Sequence, residues 1–264
     1  MTIYNNNFYI NQVKEAHTSA SIYCDILSKY LIPSSVVDVG CGRGPWLKAF
    51  NDLSIKHDKL QSLTGIDGPW NSKDDLILDD VDYIGYDLNK LGELNLNKKY
   101  DVAISVETAE HIEKESTSAF IKTLCDLSDV VIFSAAFTKQ GGIFHINERL
   151  HSEWADFFIL NDFSVYDIFR PLVWGNKNVK YWYQQNVFLY VKNNSEFSNT
   201  LVKYRISPMK NLLFMDAVHP LLFSERLSYL GVSKYIMQVK LPPSLVVILS
   251  NLKSSIQHFF HGRR

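Results

Sequence analysis

A chain of 264 residues can bury one large core and carry an extension besides, and its 46% apolar and 21% charged residues are ordinary for a globular protein. A formal net charge of -1 gives no electrostatic reason for a nucleic-acid polymer as partner. Cys24, Cys41 and Cys125 are odd in number and form no CxxC pair, which argues against a disulfide framework or a cysteine-based zinc site.

Met1 to Ile10 is polar and rich in asparagine, unlike a secretory signal. No run reaches the ~18 apolar residues that a membrane span requires, so a cytoplasmic protein is expected. Along residues 11–31, Ala16, Ala20, Tyr23, Leu27 and Tyr30 recur at alternating steps of four and three, with Ile26 widening the stripe. That spacing predicts an amphipathic helix ending before Pro33. Val36–Val39 reads as a short buried strand, Gly40–Gly44 as a tight turn, and Pro45 as the first residue of a helix, where its missing N–H costs nothing. Further strands are predicted at Leu63–Ile66, Val102–Val106, Val130–Ser134 and Val187–Val191, with helices or loops between them, which implies a mostly parallel sheet.

A strand is also expected at about Ser164–Arg170. The stretch from Pro171 to Gly175 and beyond shows no helical period, so the last strand is a candidate for antiparallel pairing. The predicted fold is therefore α/β: a Rossmann-like, mostly parallel sheet with an antiparallel last strand and a helical C-terminal extension. Boundaries are expected near residues 34 and 192: an N-terminal segment and helix (1–34), the sheet domain (35–192) and the extension (193–264). In the extension Leu245, Ile248, Leu249, Leu252, Ile256 and Phe259 share one helical face. The few basic residues nearby favour packing inside the protein or in a homodimer over membrane attachment.

The strongest local signal is Asp38-Val39-Gly40-Cys41-Gly42-Arg43-Gly44. Glycines after a first strand let the backbone approach a ligand closely and permit positive φ. Alone, the pattern would also suit a structural turn or a dinucleotide fold. Its continuation is more telling. Gly65-Ile66-Asp67 puts a carboxylate at the end of a second strand, where ribose hydroxyls lie in such folds. Tyr86-Asp87-Leu88 adds another acid after a third apolar segment, and Tyr100 to Glu107 forms a fourth strand with polar groups at its carboxyl edge.

This ordered set resembles the class I methyltransferases that use S-adenosylmethionine. The resemblance implies that Gly40, Gly42 and Gly44 pass beneath the methionine part of the cofactor, with Asp38 near its amino group. Asp67 would accept both ribose hydroxyls, Asp87 would contact the adenine amine, and Leu88 would pack by the ring. Trp46 reads as core packing and Cys41 as a small filler in the loop.

On the acceptor side, Glu107-Thr108-Ala109-Glu110-His111 follows the fourth strand. Methyl transfer to a hydroxyl needs an in-line nucleophile and a group that takes its proton, work for which a histidine has the natural pKa. His111 is one candidate, with a locally bonded helix-end residue as the plain alternative. Glu107 would orient acceptor or cofactor, and Glu110 reads as a solvated helix residue. His145-Ile146-Asn147-Glu148 supplies a second candidate base, His145, with Glu148 to orient it. Asn147 is read either as substrate-facing or as a helix N-cap. His145, Glu148 and His151 are spaced three apart, which spreads them around a helix, so no metal is expected.

Arg170-Pro171-Leu172-Val173-Trp174 and Tyr181-Trp182-Tyr183-Gln184-Gln185-Asn186 set aromatic rings beside amides and a guanidinium. Such a mixture suits a saccharide, and Arg170, Trp182, Tyr183 and Gln185 are candidate substrate contacts, although aromatics before a strand are equally ordinary core. HINE, Trp154, RPxxW and WYxQN together resemble a bacterial subgroup of class I methyltransferases associated with capsule, O-antigen and related surface glycans. Arg149 is a departure, since the subgroup often has HINEQ. The resemblance implies a saccharide or nucleotide-sugar acceptor. A lipid or small aromatic acceptor, and a non-catalytic cofactor-binding subunit, are the competing readings.

Overall fold

The computed structural model describes residues 6–227 apart from residues 60, 61 and 95. The apolar stripe predicted at 245–259 lies outside the described residues. The first helix, α1, spans Asn6–Leu27; Ala16, Ala20, Tyr23 and Leu27 are all buried, so the stripe read from the sequence is its core face. Strand β1 (Ser35–Val39) runs into the glycine turn and α2 (Pro45–Lys56), whose N-cap is Gly44 and which carries Pro45 at its start. Then follow β2 (Ser62–Asp67), β3 (Asp82–Gly85), β4 (Val102–Val106), α3 (Thr117–Leu127), β5 (Val130–Ser134) and α4 (His151–Ile159). The series continues with β6 (Phe163–Tyr166), two short helices α5 (Arg170–Val173) and α6 (Tyr181–Asn186), β7 (Phe188–Lys192) and α7 (Glu196–Lys203).

The strands form one sheet in the order β3-β2-β1-β4-β5-β7-β6. Pairings among β1 to β5 are parallel, and β7 is antiparallel to both β5 and β6. The predicted antiparallel last strand is thus present, lodged between β5 and β6. Alternation along the strands feeds two cores. Val36, Val102, Ile104, Ile132 and Leu189 pack with Tyr23, Trp46 and Phe50 of α1 and α2. Val37, Ala103, Val131, Phe133 and Tyr190 pack with Phe120, Trp154 and Phe158 of α3 and α4. This is the period of two expected of a sheet covered on both faces. Trp46 lies in the first core, as expected.

Two boundaries differ from the sequence reading. The strand expected at 164–170 ends at Tyr166, because Arg170 and Pro171 open a helical turn. The sheet ends near the expected border at 192, yet residues 193–217 stay with it: the compact unit that contains the sheet comprises Met1–Gly141 and His145–Ala217. The physical cause is burial, since Phe197 and Leu201 of α7 enter the first core and Met215 the second. The other unit is Gly142–Phe144 with Val218–Arg264. Within it, His219 caps the turn that follows, its Nδ1 accepting from the Leu221 N–H at 3.2 Å. Among the described residues no helix is long and apolar enough to cross a membrane.

Candidate active site

Sheet order reverses between β1 and β4, the two strands that pair through Val36, Val37 and Asp38. At the carboxyl end of this switch point, where open α/β sheets bind ligands, lies a cleft of about 240 Å³. Gly40, Asp67, Asp87, Leu88, Glu107 and His111 all line it, joined by Trp70, Asn89 and Thr108. Two larger depressions, about 370 and 510 Å³, lie elsewhere, around Asp101, Asp129 and Lys99 and around Glu93, Lys98 and Asp126. They flank the amino ends of β4 and β5, the wrong edge of the sheet for this chemistry.

The glycine turn has the form its composition requires. Gly40, Gly42 and Gly44 all have positive φ (85°, 52° and 77°), a region that L side chains rarely enter. At Gly40 a Cβ would lie 2.2 Å from Thr108 Oγ1, so the glycine also allows the β4 end to close on the loop. Around Gly42 nothing stands within 4 Å of such a carbon, which leaves its face open to a ligand. Cys41 is buried against Gly65, and burial pushes its thiol pKa up, so it is a packed filler.

Asp67 anchors the loop. Its Oδ2 accepts from the Gly42 N–H at 2.6 Å, and its Oδ1 accepts from the Gly68 N–H at 2.6 Å and from Asn71 Nδ2 at 3.1 Å. Oδ1 is filled by its two donors, so the acceptor site left for a hydroxyl in the cleft is on Oδ2. Asp38 lies buried nearby; burial first, and the charge of Asp67 second, raise its pKa well above the usual carboxylate range. Asp87 caps the short turn Leu88–Glu93, accepting from the Asn89 N–H at 3.0 Å, and Leu88 is buried behind it. An acid-lined cleft with an open glycine loop fits a cationic ligand bearing a ribose.

Glu107 adopts a left-handed conformation, φ 53°, unusual for a side-chain-bearing residue and frequent at functional sites. Its Oε1 accepts from Ser134 Oγ at 2.7 Å and from Asn186 Nδ2 at 3.1 Å. Asn186 in turn donates to Gln140 Oε1 (3.0 Å), while its Oδ1 meets Gln185 Nε2 (2.9 Å) and His151 Nε2 (3.1 Å). Burial raises the pKa of Glu107 against the pull of these hydrogen bonds. The chain His151–Asn186–Glu107 was missed in the sequence because it joins α4, α6 and β4 across the sheet end. His151 is buried and neutral, its pKa lowered to about 3 by desolvation and then by Arg170.

His111 and His145 meet edge to face, ring centroids 4.9 Å apart. The contact is built by backbone: the Ile146 and Asn147 N–H groups both donate to the Glu110 carbonyl, at 2.9 and 3.0 Å. Glu148 accepts from His145 Nδ1 (3.0 Å) and from the Lys139 and Gly141 N–H groups (2.8 and 2.6 Å). Burial works to raise the pKa of Glu148, but these bonds outweigh it and hold it low, so an ionised carboxylate orients His145.

Several sequence readings need correction. Glu110 is not solvated; it is fully buried, because the 145–149 loop folds over it. Asn147 is no N-cap, since Leu150 precedes α4 and Glu153 accepts from the Leu150 N–H. It is buried instead, its Nδ2 donating to Thr117 Oγ1 at 2.9 Å and to the Ala109 carbonyl at 3.3 Å, which pins the loop and keeps its amide from a substrate. Arg170 is turned inward: Nε meets Asp167 Oδ2 at 3.0 Å, and Nη1 and Nη2 donate to the carbonyls of Met215 and Phe214, both at 2.8 Å. Gln185 is fully buried on Asn186. Tyr183 packs edge-on against Trp46, and Trp182 against Tyr181 and Tyr183. None of these three α6 residues lines the cleft.

Fold and cleft together define a class I methyltransferase that uses S-adenosylmethionine. The family described as a methyltransferase domain matches residues 16–159, more than half of the chain, and the chain belongs to it. It is also similar to solved structures. Magnesium protoporphyrin IX methyltransferase from Synechocystis PCC 6803 with bound SAM shares 18% identity over 70% of this chain and 82% of that one, TM-score 0.46. Streptomyces venezuelae DesVI shares 16% over 71% and 96%, TM-score 0.48. The plantazolicin methyltransferase BpumL shares 17% over 71% and 88%, TM-score 0.47. No curated protein matches the sequence.

Proposed function

We propose that the chain methylates a hydroxyl of a sugar, or of a sugar-linked group, in bacterial surface-glycan assembly. One observation carries the transfer reading: Gly40, Asp67, Asp87 and Leu88 line the same cleft as Glu107 and His111. When bound, S-adenosylmethionine supplies an electrophilic methyl group on a sulfonium. Asp67 holds a ribose hydroxyl through the acceptor site that Gly42 leaves on Oδ2, and a second one only where Asn71 yields its place on Oδ1; Asp87 takes the adenine amine, and Asp38 faces the amino group. Glu107, fixed by Ser134 and Asn186, orients the reactants. Proton removal from the acceptor belongs to the corner where His111 and His145 meet, His145 being the one oriented by a carboxylate. Support for a sugar acceptor comes from the HINE, RPxxW and WYxQN resemblance. In the structure Arg170, Trp182, Tyr183 and Gln185 support neighbouring elements, so acceptor contacts fall to groups at the cleft mouth such as Trp70, which is 76% exposed.

A methyl-transfer screen with nucleotide sugars, glycan oligomers, lipids and small phenols, read by mass change, tests the proposal. Transfer confined to the saccharides is the expected result; transfer confined to lipids or phenols overturns the sugar assignment. On the true acceptor, replacing the working histidine by alanine should lower turnover about 10²–10⁴-fold. Asp67→Ala should weaken S-adenosylmethionine at least roughly tenfold in calorimetry, since charged hydrogen bonds contribute about 1.5–3 kcal/mol each.

A further inference from the structure

Glu110 presents a chemical problem that methyl transfer alone does not resolve. Its side chain is fully buried, and neither carboxylate oxygen has a hydrogen-bond partner of good geometry. The N–H groups of Glu110 and Ala136 only moderate the cost of burying it. A buried carboxylate without partners costs folding free energy. Beside it stand two imidazoles. Single ligand atoms of Glu110, His111 and His145 all lie within 4.8 Å of one another.

We propose that Glu110, His111 and His145 bind one divalent first-row cation at the inner end of the methyl-transfer cleft. A carboxylate and two imidazoles form a mixed oxygen and nitrogen set suited to manganese, iron, cobalt or zinc. Three ligand atoms spaced evenly about one ion at about 2.0–2.2 Å stand at most roughly 3.8 Å apart, so side-chain shifts of under about 1 Å close the set. The supporting shell is present. Glu148 accepts from His145 Nδ1 and is itself held by two backbone N–H groups, which leaves Nε2 as the ligand nitrogen. Carboxylate–histidine pairs of this kind orient metal-bound imidazoles. Three protein ligands leave open positions, and His111 brings the set to the cleft lining.

The inference rests on the cleft being the methyl-transfer site, and it states how the histidine corner removes a proton. A cation there lowers the pKa of an acceptor hydroxyl placed on an open position. The proton leaves to water, the oxygen lone pair forms the new C–O bond, and the C–S bonding pair stays on sulfur. His111 and His145 then serve as ligands, and neither takes the proton itself.

The test uses the full chain stripped with chelator and titrated with Co²⁺, read by visible absorption, and with Mn²⁺, read by calorimetry. The expected result is one cation per chain. Glu110→Gln should weaken it by at least about 100-fold and Glu148→Gln by about 10–100-fold. Glu110→Gln should melt no lower than the wild type, since it replaces a buried carboxyl, and both variants should keep their S-adenosylmethionine affinity where folded. No binding by the wild type up to about millimolar cation, or binding that both variants retain, overturns the proposal. Loss of S-adenosylmethionine binding in the wild type would strike the methyl-transfer reading instead, because the cation titration contains no cofactor.

Discussion

Asp38 shows at the scale of one residue how a buried acid works against stability. It is buried beside a second carboxylate, and its pKa is raised by that burial and by Asp67. An acid whose folded pKa exceeds its unfolded pKa holds its proton longer in the native state. Stability from this group is therefore complete at low pH and is lost as pH rises from about 3.9, the unfolded value, through the folded one. In the proposed complex, a cationic amino group beside Asp38 would reverse the penalty by pairing with its charge. Asp38→Asn should then raise the melting temperature at neutral pH and flatten its fall with pH. The same variant should bind S-adenosylmethionine more weakly, measured by calorimetry on the same sample. Greater stability together with unchanged affinity would move the amino-group contact to another residue.

At the scale of an element, the turn from β1 to α2 sets backbone conformation against packing. Gly40 and Gly42 both have positive φ, but their surroundings differ. A methyl group on Gly40 would drive into Thr108 at 2.2 Å, and Thr108 is a buried residue of the β4 end. On Gly42 it would meet nothing within 4 Å. Gly42→Ala should cost only the backbone penalty, roughly 1–2 kcal/mol. Gly40→Ala adds a clash to a penalty of that size, and should cost at least roughly 3 kcal/mol and displace Glu107 through its neighbour. Chemical denaturation of the two variants separates these effects. Equal losses would mean that the β4 end yields to the loop without resistance.

Over the whole molecule, Arg170 links α5 to the segment after α7. Its guanidinium meets Asp167 and the carbonyls of Phe214 and Met215, and Met215 is fully buried in the second core. Arg170→Met removes all three bonds and strands a half-buried Asp167, a change of the kind that costs about 3–5 kcal/mol. We expect a large loss in denaturant midpoint with little change in S-adenosylmethionine affinity where the variant is folded. A selective loss of acceptor turnover with stability intact would return Arg170 to the substrate.

Residues 35–192 owe their legibility to local rules. The glycine turn was readable because only glycine adopts those φ values cheaply, and Asp67 because it follows directly from a buried strand. The antiparallel β7 was readable because the segment before it has no helical period long enough for a crossover, and it forms only the short helices α5 and α6. Glu110 was misread because four residues of sequence cannot show that a loop 35 positions away closes over it. Asn147, Arg170 and Gln185 were misread for the same reason: polar side chains that look available in sequence are consumed by distant partners. The sequence by itself determined the order of the main strands, the first helices and the glycine loop, since these follow from neighbour-to-neighbour sterics and hydrophobic period. Only the tertiary structure decided which carboxylates are buried, which histidines meet, and which amides support Glu107. Burial and long-range pairing are properties of the packed chain, and no spacing along it encodes them.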